Sequence, residues 1–525
     1  MKKTPQSRIF LQNSPMYRLL LLFFSCLTPT LSLATTYYLS ATGNDTNPGT
    51  EGRPWKSLAR ASKADLKPGD QLLFRGGDTF TGFLSLGQSQ SGTATAAVQI
   101  GSYGKGKAIL NGGKGMVLYL NRIQFVQVRN LILKGDGRKE GNTQTGLFLN
   151  QTRHTLIEDL DISGFQKSGM EIHESEHVQV IRVVAHNNGF AGISASAAYG
   201  SRKNKHLYIG YCRAENNPGD PTNLDNHSGN GIVIGEADTV MVEHCIATNN
   251  GWDMPRKGNG PVGIWFWHTN AGVIQHCIAH DNKTAPGAMD GGGFDLDGGV
   301  TNSVIQYCLS YNNEGAGYGL FQFPGALPWH NNVVRYCISE NDGKGIKPSV
   351  LLWNGNKTDS GFSNCKIYHN VFRNDLGPVI GYLDEKHRDF FFYNNLVIGK
   401  GELFQGKSRN VRFEGNLWWS SVPESFSLNG LRSLEAWVQL TGQEKVSGKM
   451  AGIQADPGFS MAITPKPTRT QDLSKWKGYR IPAHSAARNA GVPLKTRGIS
   501  VPAKDFFGQP TQTGTLPDIG PGEHP

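Results

Sequence analysis

The chain is written in short apolar alternations. VIQYCLS (304–310) and GFDLD (293–297) are representative: every second residue is apolar, the run ends quickly, and an Asn-Asn, Asn-Gly or Gly-Gly pair separates it from the next. A period of two puts one set of side chains on each face of an extended strand, and no stretch between these runs holds the period of a helix. Short strands joined by tight turns are therefore predicted along most of the chain.

The strands recur as a unit. Cys212, Cys245, Cys277, Cys308 and Cys337 fall 33, 32, 31 and 29 residues apart, in the phrases YCRAENN, HCIATNN, HCIAHDN, YCLSYNN and YCISEND. The same frame places Asn130, Asp159 and Val183 before this column and Asn370, Asn395 and Asn416 after it, with gaps of 21 to 33 residues. An array of about eleven coils with roughly three strands each predicts a parallel β-solenoid, in which each coil buries its inner face only by stacking on its neighbours. Asn tolerates the left-handed backbone of a sharp corner, and amides one coil apart, about 4.8 Å, can bond to each other up the stack.

This geometry changes the reading of the cysteines. Without Cys26 in the leader, six of the seven remain, an even number that would suggest disulfides in an exported protein. Five occupy one apolar position of successive coils, however, where parallel side-chain vectors suit a bridge poorly, so a buried column of free thiols is expected. No CxxC spacing supports zinc.

The ends differ from the middle. Lys2, Lys3, Arg8 and Arg18 precede the apolar run LLLLFFSCL (19–27) and then Ser32-Leu33-Ala34, the layout of a signal peptide cleaved after Ala34. The run is too short to span a bilayer, and no later segment is long enough, so a secreted or periplasmic protein with no membrane segment is expected. Residues 35–80 read as an N-terminal cap and first strand, 81–420 as the solenoid, and 421–525, where the repeat gives way to Pro, Lys and Thr, as an appendage packing on it. The leader holds four of the 52 basic residues and none of the 42 acidic ones, leaving a net +6. This excess favours an anionic partner without demanding one, and its scatter argues against nucleic acid. A monomer binding a polysaccharide, anionic on this reading, is expected.

The stretches YYLSATGNDTNPGTEGRPWKSLARA (37–61) and LKPGDQLLFRGG (66–77) resemble the opening of exported right-handed parallel β-helix proteins of the pectate-lyase-like superfamily. There a helix caps the first coil, and Leu58, Ala61 and Leu66 could form its apolar side. The resemblance continues through GPVGIWFW (260–267), GGGFDLDGGVTNSVIQYC (291–308) and NNEGAGYGLFQF (312–323), and the tail ADPGF, AHSAARNAG, DFFGQ and PDIG is similar to segments that close such proteins. It implies an all-β right-handed parallel β-helix of about eleven coils with an N-terminal cap; because the superfamily spans lyases, glycosidases, epimerases and inactive proteins, it does not name a reaction.

Chemistry is sought on the outward face, where successive coils build a flat wall of side chains. Aligning the strand after each Gly turns Glu171, His173, Trp265, Trp267, Asp295, Asp297 and Phe321 outward, with Trp353 close by. Tryptophans beside carboxylates suit a glycan cleft, with Trp265, Trp267, Phe321 and Trp353 binding sugar; the alternative is that the insertions at 217–230, 251–261 and 283–290 fold over and bury them. Asp295 and Asp297 project about 7 Å apart at the backbone, with Asp290 in the loop before them. These three could hold Ca²⁺, or Asp295 and Asp297 could act as acid and base on a glycosidic bond, or the acids could merely accept bonds from turn amides.

Metal-dependent β-helix lyases resemble the first arrangement, with acids at i and i+2 of a strand holding Ca²⁺ and a base nearby. The resemblance implies a Ca²⁺-assisted lyase acting on an acidic glycan by β-elimination. Here Gly298, Gly299, Val300 and Thr301 follow Asp297, so the base is sought in His268 or Lys347, with Arg256 and Lys257 as outsiders. A glycoside hydrolase and a carbohydrate-binding surface protein without catalysis are the alternatives. Glu171 and His173, four coils earlier and roughly 19 Å away, could touch a long substrate but not the same bond. His186, His244, His276, His280 and His369 follow the repeat and are read as packing.

Overall fold

The structure, a computed structural model, describes residues 34–345, 348–358, 361–382, 386–406, 409–459, 465–511 and 516–524. The predicted leader, up to Leu33, lies outside the described residues. The rest is a parallel β-helix. One ladder consists of β1 (Leu84–Gly87), β2 (Leu118–Asn121), β3 (Leu147–Asn150), β4 (Ser168–His173), β5 (Ala191–Ser196), β6 (Asn230–Glu243), β7 (Val262–Gln275), β8 (Gly292–Leu296), β9 (Tyr318–Gln322) and β10 (Val350–Asn354), each parallel to the next. The long β6 and β7 continue into a second ladder. A third sheet of fourteen strands among the described residues runs from Thr79–Thr81 to Ile453–Gln454, beyond the cysteine frame at both ends.

Alternation decides what faces in. Leu118, Leu147, Met170, Ile193, Ile232, Ile264, Phe294, Tyr318 and Val350 form one buried column, and their neighbours two residues on form the next. At about 25 cal/mol per Å² of apolar surface, stacking whole columns is the main favourable term.

The corner before each cysteine is left-handed. Arg182, Tyr211, His244, His276, Tyr307, Tyr336 and His369 all hold φ between 49° and 59°, a conformation that costs a bulky residue roughly 1–2 kcal/mol. From Tyr211 onward the rings offset this by stacking coil on coil, with centroids 4.9 Å apart for Tyr211–His244, 5.0 Å for His244–His276 and 4.9 Å for His276–Tyr307. Asn130 and Asp159 occupy this corner too, with φ of 54° and 55°. The frame read from the sequence is therefore one residue early there: Leu131 and Leu160 share the column of Val183 and Cys212.

Asparagines one coil apart join directly. Asn217, Asn250 and Asn282 each donate Nδ2 to the next Oδ1 at 2.9 Å, and Asn313 donates to Asp342 at 2.7 Å. A second run, Asn370 to Asn395 to Asn416, ends on Glu444. An amide at the end of such a run still has a donor to place, and a carboxylate, which only accepts, terminates it. Burial raises Asp342 to about 6 and Glu444 to about 7. The six thiols from Cys212 to Cys365 are free and buried.

Both flanks are covered. Ser57 caps α1 (Leu58–Ser62), which buries Leu58 and Ala61 on the first coil, with Leu66 buried beside them. Ahead of the last strand, α2 (Leu434–Thr441) buries Leu434, Trp437 and Val438. Residues 465–511 and 516–524 return along the fourteen-stranded sheet, where Leu473, Trp476, Tyr479 and Phe507 join Tyr307, Tyr336 and Tyr368 in one apolar cluster. Among the described residues no helix is long and apolar enough to cross a membrane.

Candidate functional site

The outward residues of β6 to β10 lie in two columns. Val233, Trp265, Asp295, Gly319 and Leu351 form the first; Gly235, Trp267, Phe321 and Trp353 belong to the second, and Asp297 sits beside Trp267 because its N–H bonds the Phe266 carbonyl at 2.8 Å. Loops 217–229, 251–261 and 283–291 enter these strands from one side. Segments 197–203 and 323–328 border them on the other.

Asp295 is sealed. It is 2% exposed, between Trp265 one coil before and Gly319 one coil after. Gly319 leaves a gap that the Phe321 ring fills: a first side-chain carbon there would lie 2.7 Å from Phe321 Cε2 and 3.2 Å from Asp295 Cγ. Asp295 Oδ1 has no hydrogen-bond partner. Burial first, then the charges of Asp297 and Asp290, push this carboxyl well above its ordinary range.

Asp297 is half-buried and reaches the wall. Burial raises it to about 7; the Gly298 N–H bonded to Oδ1 at 2.7 Å opposes the rise, and the Asp290 charge adds to it. Asp290, also half-buried, takes a left-handed turn (φ 61°) ahead of β8 and accepts the Gly260 N–H at 2.9 Å. Three carboxyls thus influence one another in a partly dry site, of which two are accessible.

Other residues named from the sequence behave differently. Trp265 points outward but is 4% exposed, packed with Ala191, Val233, Val262, Phe190 and Trp267; its Nε1 donates to Asn230 Oδ1 at 3.1 Å and His227 stands edge-on at 5.0 Å. Strand residues of neighbouring coils and His227 from one insertion cover it, so of the two tryptophans that the alternative reading buries, Trp265 alone is enclosed. Trp267 remains half-buried, its indole lying across Gly235, where a first side-chain carbon would come within 1.9 Å of Cε2. Phe321 is 8% exposed and meets half-buried Trp353 edge-on at 6.3 Å.

His268 is not placed to act as a base. It is 0% exposed, Nδ1 donates to buried Glu236 at 2.7 Å and Nε2 accepts the Leu327 N–H at 3.3 Å, so neither nitrogen is free. Burial keeps its pKa below the ordinary value despite Glu236. Its ring packs against Gly299, two residues after Asp297, and Arg202 holds the His268 and Gly299 carbonyls, so this group braces the turn that carries Asp297. Sequence reading missed Glu236, because a lone Glu gives no hint of a partner one coil away. Lys347 lies outside the described residues. Arg256 is bonded to Asn259 in its own loop.

The calcium expectation was a cage of Asp290, Asp295 and Asp297. Among the described residues the one trio of acidic, His or Cys side chains with ligand atoms within 4.8 Å of one another is instead Glu176, His177 and His206. The three aspartates do not converge in that way. The trio stands exposed on another face, its imidazoles stacked 4.6 Å apart at 12°, so one ion could not lie in the plane of both rings.

Comparison with known proteins defines the class. The family model described as "Pel9A-like, right handed beta helix region" matches residues 37–371, more than half of the chain, and the chain belongs to that family. A curated relative, the lacto-N-biosidase of Bifidobacterium longum subsp. longum, is 24% identical over 619 aligned positions that cover 94% of this chain and 36% of that protein. The chain thus spans about a third of the length of the curated relative it matches. Among solved structures, the GH136 lacto-N-biosidase from Eubacterium ramulus is similar at 17% identity and a TM-score of 0.49, covering 72% of this chain and 68% of that one. Pectate lyase Pel9A is similar at 15% identity and a TM-score of 0.42, covering 94% and 98%.

Proposed function

We propose that this chain is an exported carbohydrate-active enzyme that hydrolyses a glycosidic bond in a neutral glycan. Asp297 donates the proton to the leaving oxygen, and Asp290 is the second carboxylate. The supporting observation is the environment of Asp297: a half-buried acid held near pH 7 beside another accessible carboxylate is what general acid catalysis at neutral pH requires. Asp295, paired with Asp297 in the sequence reading, is sealed from substrate, so Asp290 replaces it. The curated relative, a biosidase by name, favours the same class.

The lyase reading is the weaker one. β-Elimination from a uronate needs its carboxylate neutralised and a base at C5, whereas three acids gather here without converging on a cation site, and His268 is enclosed. The experiment is a glycan panel, neutral and acidic. New reducing ends without absorbance from unsaturated ends are expected. Unsaturated products that vanish on chelation would restore the lyase, and retention with no new ends would leave binding alone.

A further inference from the structure

The outward face continues from the carboxylates toward the N-terminal coils. In register with Trp265 and Asp295 stand Tyr119, Phe148 and Glu171; in register with Trp267 stand Asn121, Asn150 and His173. Tyr119 and Phe148 stack at 5.6 Å and 13°, and Phe83, 45% exposed, extends the row at 6.5 Å and 19°. Asn150 Nδ2 donates to the Tyr119 hydroxyl oxygen at 3.1 Å and to Asn121 Oδ1 at 2.9 Å, which fixes amides beside the rings.

Three observations point to a ligand. The comparable ring ladder at His276, Tyr307 and Tyr336 is covered by the C-terminal segment, down to a Tyr307 hydroxyl donating to the Lys504 carbonyl at 2.8 Å, whereas Tyr119 and Phe148 stay half-exposed. Flat rings beside fixed amides match a sugar, which offers C–H groups on its face and hydroxyls at its rim. From β2 to β5 the two columns contain no Lys or Arg, and their one acid, Glu171, accepts from the Thr145 and Ser196 hydroxyls at 3.2 and 3.1 Å, so a carboxylated sugar would meet repulsion there.

We propose that this strip is a second glycan-binding site, which holds the unreacted arm of a neutral oligosaccharide whose cleavage point lies at Asp297. The proposal rests on the hydrolase reading for its far end. From Asn121 the column passes Asn150, His173, Ser196 and Gly235 under the Trp267 indole and reaches Asp297 one coil after Trp267, six coil spacings or roughly 29 Å at about 4.8 Å each, the length of about five or six hexose units. The substrate class is therefore an extended neutral chain.

Calorimetric titration with neutral hexose and N-acetylhexosamine oligosaccharides, from disaccharide to octasaccharide, and with oligogalacturonides of the same lengths, tests this on the full chain. Affinity should rise with neutral chain length. Tyr119→Ala combined with Phe148→Ala should lose about tenfold or more for the octasaccharide, leave the disaccharide unchanged, and be partly rescued by Tyr119→Phe. Should the double variant not fold, Phe83→Ala, at an exposed ring, gives the same comparison. Affinity independent of length, equal losses at every length, or preference for oligogalacturonides would overturn the strip. Length-dependent affinity without release of reducing ends would keep it and overturn the hydrolase, while equal release from short and long chains without length-dependent affinity would do the reverse.

Discussion

At the scale of single residues, the environment of each carboxyl separates groups that look alike in GFDLD. Asp297 and Asp290 touch accessible space; Asp295 does not. Asp297→Asn and Asp290→Asn should each lower kcat/KM by about 10²–10⁴-fold with the fold intact, whereas Asp295→Asn, at a sealed position, should retain far more turnover in the same assay. The proton that Asp297 holds to about pH 7 predicts an alkaline limb of kcat/KM near that pH. The same shift has a sign for stability. The unfolded carboxyl ionises near 3.8 and the folded one near 7, so between those values the folded chain binds the extra proton and loses stability as pH rises. Asp295 adds to this loss in the same direction, so Asp295→Asn should raise Tm at pH 8 and leave it nearly unchanged at pH 4.

At the scale of elements, the coil is held in register by ladders that the repeat phrase already displayed. Asn250 takes a bond from Asn217 and gives one to Asn282. Asn250→Ala should leave buried amide groups unpaired and destabilise the protein by about 1–3 kcal/mol in denaturant unfolding. Burial also raises the thiols of Cys212, Cys245, Cys277 and Cys308 well above the ordinary value. All six described thiols should resist a thiol reagent in the native protein and react fully once it is unfolded. Short strands, their inward alternation and the asparagine corners were legible because they depend on local spacing. The one-residue slip at Asn130 and Asp159 was not, since a left-handed corner and the residue after it look alike until the neighbouring coil fixes the register.

At the scale of the molecule, two coverings decide what stays open. The C-terminal segment closes over the tyrosine and histidine rungs, with Trp476 6% exposed within that seam. Trp476→Ala should cost about 3 kcal/mol or more and expose apolar surface, read as a lower Tm with increased dye binding. Neighbouring strands, with His227 from one insertion, close over Trp265, while Asp297 and Trp267 stay half-buried.

The sequence by itself determined the repeat, the solenoid, the thiol column and the gathering of tryptophans and aspartates on outward positions, because each follows from spacing along one strand and its copies. Only the tertiary structure decided which of those outward groups meet solvent. Side chains of neighbouring coils and adjoining segments enclose Trp265, Asp295 and His268 while leaving Asp290 and Asp297 half-buried, and the upward shifts of Asp295 and Asp297 follow first from burial, a property of surrounding atoms that no single strand encodes.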